Sequence, residues 1–174
     1  MQMPEKQEPE SIEYTRTGKP ITPTDRALDK ILSGLAVITT CCEKTPYGMT
    51  AAWFTRASNE PYMVTVSVWE KNYTHEKLLQ SNNYAINILS EKKKDLAVHF
   101  GRQSGRDLDK FLNIAYRVGE SGAPILIEDC LAYLDCRIVD TMNAGDHTIF
   151  LGRVVKAEIL KEHDPLVYDR RDFP

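Results

Sequence analysis

No apolar run in the chain approaches the roughly 20 residues a membrane-spanning helix needs. The opening MQMPEKQEPES also lacks the apolar stretch of a secretion signal. These absences predict a cytoplasmic protein with no membrane partner. There is no G-x-G-x-x-G after a strand and no G-x-x-x-x-G-K-[ST], so neither a Rossmann domain nor a P-loop is expected. G-x-S-x-G, H-E-x-x-H and EF-hand patterns are missing too, which leaves hydrolase triads and zinc proteases without support. Basic residues are no more plentiful than acidic ones, and the net charge is -3. The one basic cluster, Lys92-Lys93-Lys94, has no interleaved aromatics and reads as a solvated helix face. Nucleic acid is therefore not an expected partner. Cysteine is scarce: Cys41 and Cys42 are adjacent, and Cys130 and Cys136 do not have C-x-x-C spacing. We expect reduced, buried, apolar thiols and no metal site.

What is present suffices for one core. With 174 residues, 42% of them hydrophobic, a single domain is expected. Residues 1–20 read as a flexible, charged arm, and residues 21–174 as the domain. Thr24 is placed to cap a short helix over Asp25–Leu32, ended by Gly34. Residues 35–40 form the first strand, and Glu43 to Pro46 turn the chain.

The central stretch is YGMTAAWFTRASNEPYMVTVSVWEKNYTH, from Tyr47 to His75. It reads as strand, turn at residues 58–61, strand, then a polar loop opening a helix capped by Thr74. Gly48 marks a close backbone approach. A further strand is expected over residues 84–89 and a helix over 91–100, capped by Ser90 and stopped by Gly101. Ser104 and Asp107 have capping-box spacing for a short helix through Phe111 and Leu112. Two long strands, about 129–140 and 147–160, close the chain. Apolar residues on both faces of the first suggest a barrel wall that also meets a partner subunit. Strands outnumber helices, so the fold class is mainly β, a small antiparallel barrel with short peripheral helices.

Three segments could carry chemistry. In the loop 70–75, Lys71, Asn72 and Thr74 precede unpaired helix N–H groups and could hold a phosphate. The pattern alone favours an ordinary helix start with a surface lysine. His147 opens a strand whose same-face neighbours are Ile149 and Leu151, and could move a proton near neutral pH. The pattern alone favours a structural histidine bonded to a turn or to Asp146. Arg106 and Lys110, one helical turn apart, could face one anion, or could belong to a capped surface helix with internal ion pairs.

Four segments change these odds together: GMTAAWFT (48–55), NYTH (72–75), YAINILS (84–90) and GDHTIFLGRV (145–154). In this order they resemble the flavin reductase-like family of FMN-binding split barrels, particularly its flavoredoxin and ferric-reductase-like members. The likeness runs from about Leu28 to Tyr168, and SGRDLDKF (104–111) adds to it. The resemblance implies a homodimer of six-stranded antiparallel split barrels with bound FMN. It implies that Met49, Thr50, Ala51, Ala52, Trp53 and Phe54 line the flavin ring, largely through backbone groups. It places the phosphate on Lys71, Asn72, Tyr73 and Thr74, and His147 beside the flavin and a nicotinamide. Arg106 and Lys110 join the cofactor-binding set. The implied activity is NAD(P)H-dependent reduction of flavin or another small acceptor, such as chelated ferric iron, by hydride transfer to flavin N5. A flavoredoxin-like carrier serving a protein partner, and a non-catalytic flavin- or haem-binding barrel, are the alternatives. Tyr47 and Arg56 depart from the residues expected in many relatives (asparagine and proline), and Tyr47 puts donor access in question.

Overall fold

The computed structural model describes residues 18–169. The expected arm, residues 1–20, lies almost wholly outside them. A terminal unit contains one short helix, α1 (Pro23–Leu28). Its cap is Thr22, two residues before Thr24. The Thr22 side chain accepts from the Asp25 N–H, and the Asp25 carboxylate accepts from the Thr22 backbone N–H at 2.7 Å. Pro23 then falls in the first turn, where its missing N–H costs nothing.

The main unit, Ser33–Tyr168, holds a seven-stranded antiparallel sheet. Its strands are β1 (Ala36–Cys42), β2 (Thr45–Ala51), β3 (Phe54–Asn59), β4 (Tyr62–Trp69), β5 (Asn83–Leu89), β8 (Cys130–Ala144) and β9 (His147–Ile159). The short β6 (Arg117–Val118) and β7 (Pro124–Ile125) form a separate ribbon. The spatial order is β2-β1-β5-β8-β9-β4-β3. The expected count of six is thus corrected to seven. The reason is local: the run expected as one strand breaks at Ala52-Trp53, so β2 pairs with β1 while β3 pairs with β4.

One apolar cluster joins Ile38 of β1, Ala51 of β2, Val64, Val66 and Val68 of β4, Tyr84 and Ile86 of β5, and Phe150 of β9. Strands far apart in the order share this core, so the sheet is rolled. Tyr84 makes the roll explicit. Its hydroxyl donates to the Val64 carbonyl at 3.0 Å across the interior. Gly152 leaves room for it, because a Cβ there would lie 2.2 Å from the Tyr84 oxygen. Alternate residues of β4 and β9 follow the two-residue period: Val66, Val68, Thr148 and Phe150 are buried, while Trp69, His147, Ile149 and Leu151 face outward, half-covered.

Helix α2 (Tyr73–Gln80) packs Leu78 into the core. Helix α3 (Lys94–Arg102), led by a 3₁₀ turn over Glu91–Lys93, buries Leu96, Ala97 and Phe100. Gly101 lies inside α3 rather than ending it. A Cβ there would meet the Thr50 Cβ at 3.3 Å, so the missing side chain lets α3 lie against β2. Gly48 answers the expected close approach: its absent Cβ would sit 3.0 Å from the Phe100 ring. Residues 104–113 form turns, not the expected helix. The tight turn at Glu43-Lys44 takes both residues to positive φ, which suits a two-residue hairpin. Cys130 and Cys136 are buried and free, and burial pushes both thiols up to about 12. No helix among the described residues is long and apolar enough to cross a membrane.

Candidate functional site

The sheet and α2 bring most of the singled-out residues to one end of the molecule. β2 ends the strand order, so among the described residues its outer edge has no ladder partner. The side chains of its second half are spoken for: Met49 and Ala51 pack with the core, and the Thr50 hydroxyl donates to the Ala97 carbonyl at 2.7 Å. From Gly48 to Ala51, then, mainly backbone groups remain to meet a ligand. Phe54 likewise packs on the core. Trp53 is different. Its carbonyl accepts from the Ser67 N–H at 2.9 Å, which fixes the backbone, while its side chain is 58% exposed.

The Trp53 indole stacks on the His147 imidazole, with centroids 4.7 Å apart and planes 34° off parallel. His147 lies beside Asp146, with Nδ1 2.6 Å from Oδ1. A carboxylate there assigns the proton to Nδ1 and turns Nε2 into the acceptor of the neutral ring. Chain connectivity supports this corner, since the Glu70 N–H donates to the Asp146 carbonyl at 3.1 Å.

Asn72 caps α2 with its backbone but makes no side-chain capping bond. Its amide instead reaches the Met49 sulfur at 3.7 Å. The His75 N–H turns back to the Asn72 carbonyl at 3.0 Å, which leaves the Tyr73 and Thr74 N–H groups for another acceptor, where the helix dipole favours an anion. Thr74 is buried behind them rather than acting as the cap. Beside this helix start lies a cavity of about 420 Å³, lined by Tyr47, Gly48, Tyr73, Thr74, Arg106 and Lys110 among others. Tyr47 stands edge-on to Tyr73 at 5.6 Å, and the Lys77 amine lies over both rings. Arg106 stacks on Tyr73 at 4.9 Å and pairs with Glu76.

Two predicted residues sit differently from expectation. Lys110 does not share a helix face with Arg106. It is buried, and its amine donates to the carbonyls of Gly48 at 3.1 Å and Phe100 at 2.8 Å. Lys71 does not line the cavity: it is exposed, with its amine 5.4 Å from the centre of the Trp69 ring. Sequence reasoning also passed over His75. Its Nε2 shares a hydrogen bond of 2.8 Å with the Thr148 hydroxyl, tying the start of α2 to the residue after His147. Burial lowers the His75 pKa, with Glu70 raising it and His147 lowering it to smaller degrees. The NYTH segment placed His75 at the end of the expected phosphate loop, but nothing local marked Thr148 as its partner.

This geometry meets a domain-wide likeness. The flavin reductase like domain matches residues 28–174. The chain belongs to the flavin reductase-like family. It is 34% identical over 144 residues to the high molecular weight rubredoxin of Moorella thermoacetica, a match covering 82% of this chain and 63% of that protein. It is 33% identical over 151 residues to HsaB, the reductase subunit of a flavin-dependent monooxygenase of Mycobacterium tuberculosis, covering 84% and 77%. The solved NADH:FAD oxidoreductase of Streptomyces globisporus superposes with a TM-score of 0.77 at 29% identity, covering 86% of this chain and 91% of that one. The rolled antiparallel sheet with short helices is therefore the architecture of this flavin reductase-like family.

Proposed function

We propose that the chain binds FMN and acts as an NAD(P)H-dependent flavin reductase. The observation carrying this reading is a convergence: the start of α2, which has no side-chain cap, the outer edge of β2 and the Trp53–His147 pair lie close together. The donor set fits FMN. The Tyr73 and Thr74 N–H groups at the start of α2, with the Asn72 and Thr74 side chains, offer a phosphate site, and Arg106 lines the adjoining cavity. The β2 edge from Met49 to Ala51, with Ala52 just beyond it, offers backbone groups to a flat polar ring. Bound FMN would supply two-electron chemistry, accepting hydride from a reduced nicotinamide and passing electrons to free flavin or chelated ferric iron. His147 holds its proton on Nδ1 against Asp146 and presents Nε2 as an acceptor, suited to a carboxamide N–H of the donor. Trp53 covers one face of that imidazole and keeps water from it. Lys110 holds Gly48 in place rather than touching the cofactor.

The Moorella relative favours one further reading, in which bound FMN exchanges electrons with a protein partner. We also take the working unit as a homodimer. Ile149 and Leu151 on the outer face, with Val139 and Met142 half exposed or more, support a partner subunit there. Anaerobic mixing with NADH and NADPH separates the readings: prompt bleaching of the flavin band supports the reductase. Flavin that stays oxidised with both nucleotides, but is reduced by a ferredoxin-type donor, supports the carrier. Sedimentation at micromolar concentration tests the dimer.

A further inference from the structure

His75 is a buried imidazole that the chemistry proposed above does not use. It is 7% exposed and does not line the cavity beside α2. Its Nε2 shares its 2.8 Å hydrogen bond with the hydroxyl of Thr148, which is buried too. The Phe150 ring stands edge-on to the imidazole, with centroids 5.7 Å apart, and fixes its plane. At the other end of the same loop, the Glu70 N–H donates to the Asp146 carbonyl at 3.1 Å. Loop 70–75 is therefore tied at both ends to the residues that flank His147. Between the two ties lie Lys71, Asn72, Tyr73 and Thr74. The ties differ in kind. The first is a backbone bond beside the last ladder pair, Trp69 with His147, and does not depend on which side chain stands at position 70. The second depends on one pair of side chains.

We propose that His75 is a positioning residue: through Thr148 it holds loop 70–75 in register with His147, and so sets the flavin-phosphate end of the site against the donor end. This inference rests on the FMN reading, because it concerns how that site is held. β9 is paired on both sides, by β8 and β4, and is the rigid member. The loop has left the ladder and, without its second tie, pivots about Glu70. The bond between His75 and Thr148 lies in the interior, where breaking it strands a polar group away from water, so loop and strand stay together. Hydride transfer is sensitive to such placement, since a shift of about 1 Å costs up to a hundredfold in rate.

The test uses the full chain loaded with FMN, in anaerobic stopped flow at saturating NADH or NADPH. His75→Leu removes the bond and keeps an apolar filling, and Thr148→Val breaks the same bond from its other side. His75→Gln keeps an amide that donates or accepts as the hydroxyl requires. The expected result is a hydride-transfer rate about tenfold lower in each single variant, with no further loss when the two are combined. His75→Gln should return the rate to within about threefold of the parent. Single variants within about twofold of the parent, losses that multiply in the double variant, or a Gln variant no faster than Leu would each overturn the proposal. Amide exchange of the flavin-free chain gives a second, independent reading. His75→Leu should speed exchange in residues 70–75 and 146–149 together, with β1 and β5 still protected; unchanged exchange in either segment overturns the proposal. Should the chain take up no FMN, or hold FMN that neither nucleotide reduces, the flavin reductase reading fails instead, and the exchange pattern decides the role of His75.

Discussion

Replacing Lys110 with methionine separates a structural staple from an anion ligand. The amine makes two hydrogen bonds to carbonyls, at 2.8 and 3.1 Å, joining the C-terminal turn of α3 to Gly48 of β2. Hydrogen bonds involving a charged group contribute about 1.5–3 kcal/mol each, so the gross loss is roughly 3–6 kcal/mol. Methionine keeps the apolar stem in contact and removes a buried ammonium whose desolvation opposes folding. That offsets part of the loss, and leaves a net destabilisation of about 2–3 kcal/mol. For a chain of this length that lowers Tm by about 4–12 °C. Urea unfolding of the flavin-free protein gives the value directly, and FMN titration at low temperature gives affinity separately. The account expects a clear stability loss with FMN affinity changed by less than about threefold. Stability within ~0.5 kcal/mol of the parent, with FMN affinity reduced a hundredfold, would refute the staple and restore Lys110 as an anion ligand.

Gly152→Ala should be severely destabilising, by about 2–4 kcal/mol, since its Cβ would fall 2.2 Å from the Tyr84 oxygen. Adding Tyr84→Phe should not rescue it, because ring carbons would still lie 2.5 and 2.7 Å away; thermal unfolding of both variants checks this. The lowered pKa of His75 makes the unfolded chain bind the extra proton first, so stability is full above about pH 6.5 and falls as pH drops below it. His75→Gln should flatten that part of the stability–pH curve, read by urea midpoints from pH 5 to 8. His147→Ala should slow NAD(P)H-dependent flavin reduction by tenfold or more, measured in anaerobic stopped flow, with FMN affinity held within a few-fold.

Much of the sheet was legible because its signals are local. Residues 36–42, 83–89 and the closing hairpin announce themselves by β-branched runs and turn residues. The break at Ala52-Trp53 was not legible, because a continuous β-rich run carries no mark of which neighbour each half will pair with. That decision is made by distant strands β1 and β4. Gly101 misled for a similar reason: a glycine near a helix end signals a stop, yet here it serves contact with Thr50. Thr22 outcompeted Thr24 as a cap because only Thr22 has Asp25 three residues ahead. At the site, the phosphate-loop and GDH segments were visible as types and order of residues. Their partners were not. Lys110 was read as an anion ligand beside Arg106, or as part of a surface helix, because helical spacing to Arg106 was assumed. Without that helix, its stem threads inward to two carbonyls. The Trp53–His147 stack joins residues with most of the sheet and two helices between them in sequence, and only the rolled sheet places them together.

The central claim is that this end of the sheet holds FMN and gives a nicotinamide donor access to it. Anaerobic stopped-flow mixing of the FMN-loaded chain with NADH, and separately with NADPH, tests it most directly. The account predicts loss of the oxidised flavin absorbance near 450 nm within seconds for at least one nucleotide, at a rate that saturates with its concentration. A chain that takes up no FMN, or bound FMN that stays oxidised with both nucleotides, would contradict it.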